Sequence, residues 1–174
     1  MVVLTTARLI VRALTLDDAP FIAVLLNDPA FIRNIGDRGV RTAVEARAYL
    51  TAGPLASYAQ HGLGLCAVTL AATGEPIGIC GLLTRAELPG PDLGFAFLPQ
   101  FRAQGYAFET ASAVMADARA RLGLEALFAI VNPENGASIR LLARLGFEFE
   151  RTIQMPGETA FVSLFAAYIG RPTG

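Results

Sequence analysis

Lysine does not occur in this 174-residue chain, so all fourteen cationic side chains are arginines and every fixed positive side chain is a planar guanidinium. The two cysteines are too few for a disulfide-stapled secreted scaffold. Charged residues make up only 17% against 53% hydrophobic, which excludes a disordered chain. A net charge of -1 provides no broad basic field, so no nucleic-acid partner is expected. The longest stretch without charge, Ala48 to Gly74, is broken by Gly53, Pro54, Ser57, Gln60, His61 and Gly62 and cannot cross a bilayer as a helix. Met1 to Leu14 carries Arg8 and Arg12 inside an apolar segment, which is not the order of a signal peptide. No membrane association and a cytoplasmic location are expected, with Cys66 and Cys80 reduced and half-buried in strands.

What is present reads as one well-cored domain over residues 1–174. Arg8 to Leu14 alternates as a first strand. Thr15 and Asp18 form a capping pattern ahead of a helix that carries Phe21, Val24 and Leu25 and stops at Asn27-Asp28-Pro29. A loop from Phe31 to Arg41 follows, and a second capping box, Thr42 with Glu45, opens a helix expected to end near Gly53-Pro54. Leu63 to Leu70 and Pro76 to Leu83 form a predicted hairpin with Thr73-Gly74 at its tip. Then come a strand at Asp92 to Leu98, a helix at Phe108 to Leu122, an apolar strand at Ala126 to Val131 and a helix at Asn135 to Leu145. Strands near Phe147 to Ile153 and Phe161 to Ile169 close the chain. The order predicts a mixed α+β sheet with helices on both faces.

The segment Arg102 to Ala107 joins a strand to a helix, so its backbone N–H groups and the helix N-terminus converge on one small volume suited to an anion. Gly105 permits close backbone approach, Ala107 keeps the next turn slim, and Arg102 can add a forked charge contact. A plain strand-to-helix connection is the competing reading.

Arg102-Ala103-Gln104-Gly105-Tyr106-Ala107 resembles the Q/R-x-x-G-x-G/A loop of the GNAT acyltransferase superfamily, and Asp92 to Phe97 resembles the strand before it. Asn135-Gly136-Ala137-Ser138-Ile139-Arg140, with Leu145-Gly146-Phe147, is similar to the N-x-x-S-x-R…L-G-F signature of the branch containing the ribosomal-protein N-terminal acetyltransferases. The resemblance implies a three-layer αβα fold. Its central sheet is mixed, mostly antiparallel, and splayed between the fourth and fifth strands, Asp92 to Leu98 and Ala126 to Val131. It implies acetyl-CoA as co-substrate, no metal, and direct transfer to an amine acceptor, either a protein N-terminus or a small molecule. By the same resemblance, backbone groups of Phe97 and Leu98 pair with the pantetheine arm. The amides of Gln104, Gly105, Tyr106, Ala107 and Phe108 hold the pyrophosphate, Asn135 meets the pantetheine, and Ser138 lies near the departing sulfur. Many relatives carry a tyrosine seven residues after the Asn; here that position is Leu142.

Asp92 stands where many relatives carry a glutamate base, one methylene shorter, and is the candidate base, with Glu87 and His61 as weaker ones. Direct transfer leaves Cys66 and Cys80 without a nucleophilic role. Arg33, Arg38 and Arg41 outweigh Asp37 in the Phe31 to Arg41 loop, which could attract an acidic acceptor. A retained fold that binds acyl-CoA without turnover is the alternative, and a mean hydropathy of +0.48 suits an exposed apolar interface and a homodimer.

Overall fold

Local capping chemistry starts the first helices as the sequence predicts. The Thr15 hydroxyl accepts from the Asp17 N–H, and Asp18 Oδ2 accepts the Thr15 N–H at 2.8 Å. A 3-10 turn at Leu16–Asp18 then leads into α1 (Ala19–Leu26). The Thr42–Glu45 box likewise opens α3 (Ala43–Leu50), after the shorter α2 (Pro29–Asn34).

Two expectations are corrected here. Asn27-Asp28-Pro29 does not open a loop: Asp28 caps α2 by accepting the Phe31 N–H at 3.0 Å, and Pro29 occupies the first helical turn, where its missing N–H costs nothing. Nor does the helix after Thr42 end at Gly53-Pro54. The backbone widens into one π turn at Thr51–Leu55, which accommodates Pro54, and continues as α4 (Ala56–His61) until Gly62 at φ +67°. Tertiary bonds hold this extension, because the Tyr58 hydroxyl accepts from the Leu14 N–H at 3.0 Å and donates to the Leu65 carbonyl.

The computed structural model describes residues 3–170. Its strands are β1 (Leu4–Thr5), β2 (Leu9–Ala13), β3 (Leu65–Leu70), β4 (Pro76–Leu83), β5 (Asp92–Phe97), β6 (Ala126–Val131), β7 (Glu148–Gln154) and β8 (Phe161–Tyr168). They form one mixed sheet in the order β1-β2-β3-β4-β5-β6-β8-β7. The short β1 moves the predicted fourth and fifth strands to fifth and sixth. All neighbours are antiparallel except β5 and β6, which meet in parallel at the single register pair Asp92 and Phe128 and then part.

Helix α5 (Tyr106–Ala120) buries Ala111, Val114 and Ala118 against Val68, Cys80 and Leu127 on one face of the sheet. Helices α1 to α3 bury Ile22, Leu25 and Leu50 against Ala67, Ile79 and Leu98 on the other. Beyond β5 that second face is covered differently: Leu88, from the loop between β4 and β5, lies over Phe128, Leu164 and Ala166. Helix α6 (Gly136–Arg144) follows β6.

Candidate active site

Leu98 donates its N–H to the Ile77 carbonyl at 2.9 Å, which fixes the parity of the antiparallel β4–β5 ladder. Even-numbered residues of β5 therefore bond to β4, and the backbone groups of Phe95 and Phe97 turn toward β6. The Phe128 N–H bonds to the Pro91 carbonyl at 3.0 Å, so pairing exists at the apex and is lost as the strands diverge. The result is a V-shaped opening edged by unpaired peptide groups of β5. Unpaired strand edges invite an extended guest.

The predicted backbone contacts are thereby revised. Leu98 has no free N–H to offer, and the Phe97 carbonyl already accepts Arg102 Nε at 3.1 Å. Phe95, which the motif comparison passed over, presents both peptide groups to the opening; register parity is the signal that identifies it.

At the open end of the V lie the N-termini of α5 and α6. Ala103 at φ +58° and Gly105 at φ +82° bend the Arg102 to Tyr106 segment so that it enters α5 abruptly, leaving the first N–H groups of the 15-residue helix without intrahelical partners. Together with α2, the Phe95–Phe97 end of β5 and the first turn of α6, this loop encloses a cleft of about 620 Å³. Gly105, Tyr106, Ala107, Phe108, Asn135 and Ser138 all line it.

Two loop residues serve the loop itself. Arg102 lines the cleft, but its Nη2 is 2.5 Å from Asp28 Oδ2 and its Nε is on Phe97, so the expected phosphate fork is committed to tying α2 to the loop. Gln104 folds its side chain back, donating from Nε2 to the Gln100 carbonyl at 2.8 Å, while its own carbonyl accepts from Arg8 Nη1 at 3.0 Å. Arg8 also stacks 4.3 Å from the Tyr106 ring centre and binds Glu109 at 2.7 Å. Glu109, in the first turn of α5, accepts from the Thr6 hydroxyl and from both the main chain and side chain of Arg8.

On α6, Asn135 acts as the helix cap: Oδ1 accepts the Ser138 N–H at 3.2 Å and Nδ2 donates to Ser138 Oγ at 3.0 Å. The serine hydroxyl therefore receives one bond and keeps its own proton to give. Leu142, at the position where many relatives carry the tyrosine, does not face the cleft. It is 1% exposed in the core, and Leu141 lines the cleft instead.

Asp92 is 1% exposed and is absent from the cleft lining. Both its oxygens lie 3.1 Å from Arg85 Nε. Burial pushes its carboxyl upward, opposed by Arg85. It is thus a buried anchor for a cation, not a base presented to the cleft. Glu87 and His61 are exposed and do not line the cleft, His61 at the end of α4. Cys66 and Cys80 are free, buried and directly opposite each other on β3 and β4. Burial pushes the Cys66 thiol up to about 11 and the Cys80 thiol upward as well, leaving almost no nucleophilic thiolate at neutral pH. Native protein at pH 7.5 should therefore resist maleimide, with both thiols labelled only after unfolding; mass spectrometry of the two samples checks this.

A sheet opened between parallel strands, with two helix N-termini at its mouth, is the build of an acyltransferase that seats an extended, phosphorylated thioester carrier. The chain belongs to the GNAT acetyltransferase family: residues 8–148 match the model of the acetyltransferase (GNAT) domain, a family that uses acetyl-CoA. Its sequence is 28% identical over 154 residues to the uncharacterised N-acetyltransferase YoaA of Bacillus subtilis, covering 87% of this chain and 86% of that one. The fold is shared with an acetyltransferase from Agrobacterium tumefaciens (TM-score 0.81, 24% identity, 97% and 95% of the chains). It is also shared with RimL, a ribosomal L7/L12 α-N-protein acetyltransferase solved with coenzyme A (TM-score 0.80, 17% identity, 96% and 98% of the chains). Among the described residues no helix is long and apolar enough to cross a membrane, and no cluster of three or more metal-ligating side chains occurs.

Proposed function

We propose that this chain is a single-domain, cytoplasmic N-acetyltransferase that moves the acetyl group of acetyl-CoA directly to a primary amine. The observation that carries the reading is one cleft uniting three features: the unpaired edge of β5 at Phe95, the orphan amides at the start of α5, and the Asn135–Ser138 pair. The donor sets fit the carrier. Amides of Gly105 to Phe108 suit a pyrophosphate, and the edge of β5 suits the amides of an extended arm. Two free, buried thiols fit a reducing compartment.

Bound acetyl-CoA supplies the acetyl group as an activated thioester. In the chain, the Phe95 N–H donates toward the acyl oxygen as negative charge develops there. The Ser138 hydroxyl, held by Asn135, donates toward the sulfur as it leaves; a thiol of pKa about 8.5 needs no stronger acid. With Asp92 committed to Arg85, an α-amine of pKa about 8, already partly neutral, releases its proton to water. This favours α-amines, including protein N-termini, over lysine side chains.

Incubation with acetyl-CoA and a panel of peptide N-termini and small primary amines should yield acetylated products by mass spectrometry. Binding of acetyl-CoA with no turnover across the panel would instead identify a carrier-binding module. Ser138→Ala should lower kcat roughly tenfold while leaving acetyl-CoA affinity within about twofold. Unchanged turnover would remove Ser138 from the reaction.

A further inference from the structure

Asp92 shares the face of β5 with Ala96 and Leu98, which α1 to α3 cover, and it is paired in register with Phe128, which Leu88 covers. Its carboxylate therefore lies on the seam between those two covers, at the apex of the V. Arg85 reaches this seam from the β4–β5 loop and commits only Nε to Asp92. Its Nη1 and Nη2 have no partner among the described residues, and the side chain is 32% exposed. A buried carboxylate thus fixes a guanidinium whose outer fork remains free for a planar anion.

Tyr49 of α3 packs against the core beneath α1 to α3, and its phenol is pushed up by burial and pulled down by the charges of Arg38 and Arg85. Arg41 is neutralised by Asp37 at 2.6 Å, whereas Arg38 has no ion pair among the described residues. Glu87, two residues beyond Arg85, is exposed and also unpaired among them. Arg85 thus stands against one buried carboxylate where β5 and β6 part.

We infer that the acceptor carries a carboxylate a few bonds from its reacting amine, and that the outer fork of Arg85, fixed by Asp92, binds that carboxylate. The inference rests on the acetyl-transfer reading. The fork lies three residues along β5, roughly 10 Å, from the Phe95 peptide groups that edge the opening. An acceptor without an anion gains nothing from that fork.

The test compares kcat/KM for matched acceptors: an amino acid with its methyl ester, and peptides beginning with Asp or Glu with those beginning with Asn or Gln. Wild type should prefer the charged member of at least one pair by about tenfold. Preference in the first pair identifies a free amino acid, and in the second a protein N-terminus. Arg85→Gln should collapse that ratio toward one. The double variant R85Q/D92N, which leaves no unpaired buried charge, should do the same. A ratio is independent of the fraction of enzyme folded, so loss of stability cannot mimic the result. Equal use of charged and neutral acceptors by wild type, or a preference that survives both variants, overturns the inference. Failure to acetylate any amine while acetyl-CoA binds overturns the underlying reading instead.

Discussion

Gly105→Val should lower acetyl-CoA affinity roughly a hundredfold, about 2.7 kcal/mol, in a calorimetric titration. Residue 105 adopts φ +82°, where an L side chain is strained by about 1–2 kcal/mol and a β-branched one by more. An added Cβ would also stand 3.3 Å from Arg8 Nη2, the guanidinium that holds Gln104 and Glu109. The segment would relieve both by turning its peptide planes, which swings the amides of the first turn of α5 away from their common focus. Gly105→Ala should show the same effect in smaller measure. Global stability should fall only by that backbone strain, ~1–2 kcal/mol, because Gly105 is exposed and carries no core contacts. Undiminished affinity in a folded valine variant would remove this loop from the phosphate site.

Asp28→Ala should destabilise the protein by about 2 kcal/mol in urea unfolding. One oxygen, Oδ2, caps α2 through the Phe31 N–H and pairs with Arg102, and the carboxylate side chain is only 7% exposed. Loss of the cap accounts for about 1 kcal/mol. Loss of the ion pair accounts for the rest, discounted because the Arg102 side chain is 40% exposed and can turn to water. A double-mutant cycle with Arg102→Ala should give a coupling of about 1 kcal/mol; additivity would show that the pair contributes nothing beyond its separate members.

The parts of this fold that were legible in the sequence are those governed by near neighbours. Both capping boxes, the Thr73-Gly74 hairpin and α5 depend on residues within a turn of one another. The helix beyond Pro54 was not legible, because what sustains it is the bond from Tyr58 to strand residues far along the chain. Asp28 appeared as a stop signal, although the same Asp-Pro pair starts a helix when its carboxylate finds Phe31 and Arg102. In the site, the motifs located Gly105, Asn135 and Ser138 in one cleft. They could not show that Arg102 is spent on Asp28, that Leu98 bonds to Ile77, or that Asp92 is sealed beneath Arg85. Each depends on a partner chosen by tertiary packing, and residue type alone does not name it.

The single register pair between β5 and β6 also has a mechanical meaning. On one side of it lie five strands, on the other three, and each group is cross-linked by antiparallel ladders that resist shear. Across that pair the two half-sheets are therefore joined chiefly by side chains, with α5 packing on Val68 and Cys80 of one and Leu127 of the other.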